Sequence, residues 1–424
     1  MTVHFKQDKP DESNRLDDMK QGVIGKALPR VEGLAKVTGT ATYAAEYPIE
    51  DCAEGVLVTS TITRGEVTSI DKDAALAMPG VIAVIDDSRL TTRAAQGTAD
   101  EAPQQQPKTV CYWGQPIALV VAETFEQARD AAKHLAVEYR VEDGPPLDPH
   151  AVEPEEQEDE TVHQGDLAHA MSEAAHSVDV TYTTRGHASA AMEPHAAIAQ
   201  WDGDKLTVYA SLQMLNYNIS ELADALDMEE DDIRLLSRFV GGGFGSKLGI
   251  SEEAVAAALA AKELGRPVRV VMSRQQVFQC IMRRSETTQR LRLCTDANGT
   301  LTGFGHEALV SNLPGEAFAE PVLQSSHFLY GGENRELMLK VARIHRMTAG
   351  SVRAPGEAVG MPALEAAMDV LAEEVGIDPV ELRLRNIPEK NPEEGLPFSS
   401  HKLAECLKQG AEAFGWDHGP RKPR

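Results

Sequence analysis

The chain has 424 residues, 42% of them hydrophobic, so it is too long for one ordinary core and apolar enough to fold as two or three units. Its 66 Asp and Glu against 41 Lys and Arg leave a net charge of −25, spread along the chain with no basic patch. That field repels nucleic acid and an anionic membrane surface, so neither is expected as a partner; it serves solubility or life in a salty cytoplasm.

Residues 1–24 are polar, with Lys6, Asp8, Lys9, Asp11 and Glu12 and no apolar stretch. They read as a tail without fixed structure and not as a signal peptide. No run of about 18 apolar residues exists, so no membrane span is expected. Residues 55–62 (GVLVTSTI) predict a strand, 73–78 a short helix closed by Pro79-Gly80, and 81–85 (VIAVI) the next strand. A polar stretch of low order covers 91–107. A buried strand at 115–122 follows, then a helix at 124–136 with Thr124 as N-cap, then a strand at 137–141. Residues 143–160 (DGPPLDPHAVEPEEQEDE) read as a linker, and the carboxylates of 153–160 as a solvated charge run in preference to a metal site.

Beyond it, 178–183 alternates as a strand, and 196–201 with 206–211 predicts a hairpin around Asp202-Gly203-Asp204. Helices are expected at 220–227, at 252–264 (EEAVAAALAAKEL, closed by Gly265 and Pro267) and at 361–375, closed by Gly376. Strands are expected at 233–236 and 268–272, and a second hairpin at 290–295 and 301–310. An α/β unit at 25–142 packed on an α+β unit at 165–424 follows, each with its own sheet. The five cysteines are odd in number, far apart and without C-x-x-C, so no zinc site or iron–sulfur cluster is expected, and a reduced, intracellular chain is the simplest reading.

The segment 239–247 (FVGGGFGSK) lies between a strand and a helix. Glycines there allow positive φ and let backbone N–H groups approach a ligand, and the following helix turns its positive end toward them, a geometry suited to an anion. Neither generic phosphate motif fits: Gly245-Ser246-Lys247 breaks the P-loop order, and Ser246 occupies the third glycine of a dinucleotide fingerprint. The lesser alternative for the loop by itself is a tight turn beside packed helices. By themselves Gln213 reads as a strand-end residue, Phe244 as a core aromatic and Arg353 as a surface ion pair, and His187 and His195 as ordinary packed histidines.

In order along the chain, these segments resemble one family. Residues 241–247 (GGGFGSK) are similar to the GGGFGGK loop of molybdenum hydroxylase large subunits. Ser211-Leu212-Gln213-Met214 falls where that family places a glutamine reaching the metal's oxo ligand. Residues 352–357 (VRAPGE) look like its F-R-x-x-G segment, and 364–386 like its signature helix with the D-P-x-E-x-R-x-x-N continuation. Residues 33–43 (GLAKVTGTATY) and 114–131 resemble its α/β hammerhead domain, and Met192-Glu193-Pro194-His195 matches a further block. From about Gly25 onward the chain thus resembles the N-terminal half of the molybdenum-binding large subunit of the xanthine dehydrogenase/aldehyde oxidoreductase family, most like the separate-subunit bacterial aldehyde oxidoreductases.

The resemblance implies an α+β fold: a hammerhead domain at 25–142, an acidic linker at 143–164 and the first part of the molybdenum cofactor-binding region at 165–424. It implies oxidation of aldehydes or N-heterocycles with water as the oxygen source, on a molybdopterin cofactor in its plain or cytosine dinucleotide form. [2Fe–2S] clusters and FAD would sit on partner subunits, and a C-terminal half would be a further partner. Gln213 would donate to the oxo group. Gly242, Gly243, Phe244 and Gly245 would line the metal, Arg353 and Ala354 would lie beside it, and Pro355 would line the substrate funnel. Gln213, Phe244 and Arg353 would surround the molybdenum without ligating it. The catalytic base belongs to the family's second half, so no catalytic residue is assigned here. Glu357 and Glu316 follow glycines but lie in no matching context. A half-subunit that pairs with its other half, an inactive truncated product and a non-catalytic binding module all remain open, in the cytoplasm or exported with a partner. Two departures stand out: Ser246 where the family has glycine, and Ser189 where relatives often carry histidine.

Overall fold

The structure, a computed structural model, describes residues 26–90, 108–144 and 146–416. The tail at 1–24 and the polar stretch at 91–107 therefore lie outside, or almost wholly outside, the described residues. In chain order the elements are α1 (Gly33–Val37), β1 (Ala53–Thr59), β2 (Gly65–Asp71), α2 (Asp73–Leu76), β3 (Val81–Ile85), β4 (Thr109–Val110), β5 (Pro116–Ala122), α3 (Phe125–His134) and β6 (Ala136–Val141). They continue with β7 (Glu155–Glu156), β8 (Val162–Gln164), α4 (Leu167–Glu173), β9 (His176–Thr184), β10 (Ala196–Asp202), β11 (Lys205–Ala210), α5 (Leu215–Leu226), β12 (Ile233–Leu236), α6 (Glu252–Leu264) and β13 (Val268–Val271). The last are α7 (Arg274–Cys280), β14 (Thr287–Thr295), β15 (Leu301–Asn312), β16 (Asn334–Arg343), α8 (Glu357–Val375), α9 (Pro379–Asn386) and α10 (Leu403–Phe414).

Local chemistry accounts for the segments that agree with expectation. The Thr124 hydroxyl accepts from the Gln127 N–H, and the Gln127 side chain returns the bond to the Thr124 N–H, closing a capping box on α3. Gly265 and Gly376 end α6 and α8 in the left-handed conformation. Helix α6 is buried from Glu253 to Ala261; its run of alanines lets it lie close against the sheet on every side.

The expectation of a separate sheet in each unit is overturned. One seven-stranded sheet runs β12-β11-β10-β13-β1-β5-β3, and its join is the parallel pairing of β1 with β13, with Ala53 opposite Val268 and Gly55 opposite Val270. Strand β1 pairs with β5 on its other edge, and Ala53 and Leu57 are buried in the same core as Ala254–Ala261 of α6. A strand so covered cannot leave a row of backbone N–H and C=O groups unpaired, and β13 satisfies them.

The linker reading of 143–164 is corrected as well. Within it β7 and β8 pair with β16 at the edge of a six-stranded sheet ordered β7-β16-β15-β14-β9, with β8 also on β16. Two of its acidic side chains meet cations, Glu155 with Arg343 at 2.8 Å and Glu160 with His327 at 3.4 Å, while Glu153, Glu155, Glu156, Glu158 and Asp159 stay exposed, as a solvated charge run requires. This second sheet packs on α8 through Leu291, Phe304, Leu337, Leu364 and Leu371. A small sheet β4-β2-β6 completes the fold.

Candidate functional site

Strand β11 ends at Ala210, and the next residues carry Gln213 away from the sheet edge to face the loop 241–247 that joins β12 to α6. The two segments are laced together. The Gln213 N–H donates to the Lys247 carbonyl at 2.8 Å, while its side-chain Oε1 accepts from the N–H groups of Gly245 at 3.1 Å and Lys247 at 3.4 Å. Two inward donors fix the amide: turned over, its NH2 would meet two N–H groups head on. Nε2 is left facing outward as a donor, on an exposed residue.

The segment 351–356 closes on the same loop. The Arg353 N–H donates to the Phe244 carbonyl at 2.8 Å, and the Arg353 guanidinium lies 4.1 Å from the centre of the Phe244 ring. A Cβ on Gly245 would stand 1.8 Å from the Ser351 carbonyl oxygen, and one on Gly243 would stand 2.2 Å from Gln213 Oε1, so only glycine permits this approach. From behind, buried Arg284 donates to the Arg353 carbonyl, and buried Glu320 accepts from the Gly356 N–H at 2.8 Å. Phe244, Arg353 and Ala354 have φ of 55°, 24° and 54°, three of the seven non-glycine residues with positive φ among those described. Backbone held in such conformations costs on the order of 1–3 kcal/mol per residue and gathers where a ligand is clasped.

Gln213, the loop and the Arg353 segment thus converge on one face, with Phe244 41% exposed, Arg353 and Ala354 exposed and Pro355 part-buried beside them. The bland readings of Phe244 as core and of Arg353 as a surface ion pair do not hold: the ring is half in solvent, and the cation sits on it. The donors differ from expectation in one respect. Gly245 spends its N–H on Gln213, so the N–H groups of Gly242, Gly243, Phe244 and Ala354 are the ones left without a protein partner in 242–245 and 353–354. The first turn of α6 carries Glu252 and Glu253, so that helix end meets its own carboxylates, and the donors for an anion are the loop's. Glu253 is wholly buried, with its acidity weakened to a pKa of about 7 by desolvation.

Beneath the loop lies a polar cluster. Lys247 is fully buried; its ammonium donates to Glu193 Oε2 at 3.0 Å, to the Glu193 carbonyl at 3.1 Å and to Ser211 Oγ at 2.8 Å. Glu193 Oε2 also accepts from Ser211 Oγ and, at 2.7 Å, from the Gly241 N–H. His195 is 1% exposed and shares a hydrogen bond of 2.8 Å with the Ser246 carbonyl; burial lowers its pKa to about 4, so the ring is neutral and Nε2 carries the donated proton. The two departures in sequence touch: Ser189 Oγ donates to Ser246 Oγ at 2.7 Å, and Ser246 Oγ donates to the Gly243 carbonyl. Ser246 is not among the residues with positive φ, so its side chain is accommodated. His187 only exchanges backbone hydrogen bonds with Arg284, Glu316 accepts from Thr348, and no group of three or more metal-binding side chains occurs among the described residues. Two concavities, of about 570 and 550 Å³, are lined by other residues, such as Trp201 and Asp204 in one and Phe125 and Tyr139 in the other. Lys247 stood in the loop quoted from the sequence, but its burial and its bond to Glu193 were not foreseen; the adjacency of Glu193 and His195 in one block was the available signal.

Comparison with known proteins matches residues 150–387 to the molybdopterin cofactor-binding domain and residues 38–143 to the a/b hammerhead domain of aldehyde oxidase and xanthine dehydrogenase. The aldehyde oxidoreductase molybdenum-binding subunit PaoC of Escherichia coli K12 is 42% identical over 97% of this chain and 57% of its own length. The xanthine dehydrogenase molybdenum-binding subunit of E. coli O157:H7 is 29% identical over 92% of the chain and 55% of its own. The chain therefore spans a little over half the length of these relatives. The solved structure of the aldehyde oxidoreductase from Desulfovibrio gigas superposes with a TM-score of 0.81 at 25% identity, covering 91% of this chain and 46% of that one. Quinoline 2-oxidoreductase from Pseudomonas putida 86 shares the fold, with a TM-score of 0.83 at 22% identity over 92% of this chain and 54% of that one.

Proposed function

We propose that this chain holds one side of a molybdenum cofactor and works in the oxidation of aldehydes or N-heterocycles, because it belongs to the aldehyde oxidase and xanthine dehydrogenase family, with the molybdopterin cofactor-binding domain as its larger part. The observation that carries the reading is the face built by Gln213, 242–244 and Ala354: an amide NH2 fixed outward, with four backbone N–H groups beside it and no carboxylate among them. Such a face fits the negative oxygens of an oxo-metal group or a pterin phosphate, and the positive-φ Gly242 and Gly245 let the loop close against Phe244 and Ser351, where a Cβ would clash. When bound, the molybdenum centre supplies two-electron oxidation with oxygen taken from water. In this assignment Gln213 Nε2 would donate to the oxo group. Gly242, Gly243 and Phe244 would offer N–H groups to the cofactor, Arg353 and Ala354 would lie beside it, and Pro355 would line the approach of the substrate. Gly245 serves by orienting Gln213.

The relatives extend well beyond the matched part, and we place in that remainder the carboxylate that removes the proton from the attacking water and most contacts to the cofactor's nucleotide, in plain or cytosine dinucleotide form. Turnover is then the work of the complete assembly, with electrons leaving through [2Fe–2S] and FAD subunits in a cytoplasmic complex. No helix among the described residues is long and apolar enough to cross a membrane. The test is metal analysis and aldehyde oxidation by the complete assembly, with Gln213→Ala beside the wild type. Molybdenum near one per chain and a fall in kcat of about tenfold or more in the variant, with the fold kept, are expected. A complete assembly that contains no molybdenum ends the assignment.

A further inference from the structure

The block Met192-Glu193-Pro194-His195 finds no use in that function, yet it touches the glycine loop at both ends. Glu193 Oε2 takes the Gly241 N–H at the loop's start and the Lys247 ammonium at its finish, with Ser211, two residues before Gln213, as the third donor. The other oxygen, Oε1, accepts from the Ala44 N–H at 3.4 Å, which ties in the N-terminal part of the chain. His195 holds the Ser246 carbonyl. A Cβ on Gly241 would lie 2.6 Å from the Glu193 Cβ, so loop and block meet without slack. The charges are out of water, with Lys247 0% and Glu193 9% exposed at the side chain. A pair so buried is a weak source of net stability against an apolar substitute but a strict geometric constraint, since either charge left alone is costly.

We propose that Glu193, Lys247 and His195 are positioning residues: they pin the loop 241–247 so that its Gly245 and Lys247 N–H groups hold the Gln213 amide with its NH2 outward. The pins act on the ligand through Gln213 and touch no ligand themselves. Loss of the Glu193 charge frees the start of the loop and strands the Lys247 ammonium, the two N–H groups drift from Gln213 Oε1, and the amide becomes free to turn over. The part of the inference that concerns the cofactor rests on the function proposed above; the part that concerns the loop does not.

The experiment has two arms. In the full chain without added cofactor, hydrogen–deuterium exchange compares wild type with Glu193→Gln, which keeps size and one acceptor. Exchange at Gly241 and at Gly245, Ser246 and Lys247, whose N–H groups are bonded, should quicken at least tenfold while the amides of β13 and β15 stay within twofold. In the complete assembly, kcat per bound molybdenum and the Mo(V) resonance are read for Glu193→Gln, Gln213→Ala and the double variant. The double variant should be no more than twofold slower than Gln213→Ala, because the first change acts through the second residue, and both single variants should alter the resonance. Quickened exchange across both sheets, or multiplicative losses in kcat with an unaltered resonance in Glu193→Gln, would overturn the positioning role. Absence of molybdenum from the wild-type assembly would overturn the proposed function, and the exchange arm would then decide the loop clamp by itself.

Discussion

Replacement of Gly245 by alanine tests the closure of the site most directly. Gly245 has φ of +102°, and an added Cβ would lie 1.8 Å from the Ser351 carbonyl oxygen and 2.8 Å from its carbon, far inside the contact distance of real atoms. The Ser351 backbone cannot retreat by itself, because the segment that follows is held by the bond from Arg353 to Phe244, by Arg284 on the Arg353 carbonyl and by Glu320 on the Gly356 N–H. The variant therefore meets left-handed strain of about 1–2 kcal/mol, overpacking of about 1–3 kcal/mol and the loss of about one hydrogen bond to Gln213, about 1 kcal/mol. Gly265→Ala is the control. It too has positive φ, +62°, but nothing within 4 Å of the added methyl, so it meets the strain alone. Urea titration of the full chain should place Gly245→Ala at least about 2 kcal/mol below Gly265→Ala. If the two variants agree to within about 0.5 kcal/mol, the loop and the 351–356 segment are not in the contact described, and the site falls apart as a unit.

Glu253 is wholly buried with its pKa raised to about 7 from an unfolded value near 4.5, so its contribution is full below pH 4.5 and lost as pH rises through 7; Glu253→Gln should raise the urea midpoint at pH 8 by the equivalent of a few kcal/mol and leave it nearly unchanged at pH 4.5. His306, buried between Ser326 and Gln289, is lowered to about 3, so the unfolded chain takes up a proton below pH 6.5 that the folded chain refuses. The wild type should lose about 1.4 kcal/mol per pH unit more than His306→Gln between pH 6 and 4, as read by the pH dependence of unfolding. Thr124→Ala removes the cap of α3 and should cost about 1 kcal/mol in thermal unfolding with no change at the glycine loop.

Elements with a clean period or firm punctuation were legible from residues alone. Strand β12 and helix α6 have the bounds their patterns give, and the Gly-rich loop between them announced itself. Strand β16 was not read, because Arg335 stands on the apolar face of its alternation; Arg335 is fully buried nonetheless, donating to the Ser326 and His327 carbonyls. The pairing of β1 with β13 could not be seen, since nothing in 53–59 names a partner more than 200 residues away. The site divides in the same way. The glycine loop showed its capacity for close approach, and the resemblance drew Gln213 and Arg353 to it. Neither could show that the Gly245 N–H would turn inward, nor that Glu193 and Lys247 would be buried as a pair, because both depend on which polar groups the folded sheet leaves without water.

The join between β1 and β13 also sets a schedule for the nascent chain. Ala53 leaves the ribosome 215 positions ahead of Val268, its partner in the parallel ladder. At about 5–20 residues per second, translation makes it wait roughly 10–40 s. During that interval β5 can protect one edge of β1, but the other remains an open template for any extended segment nearby. A chaperone that shields this edge until β13 emerges would raise the yield of folded chain without touching its final stability.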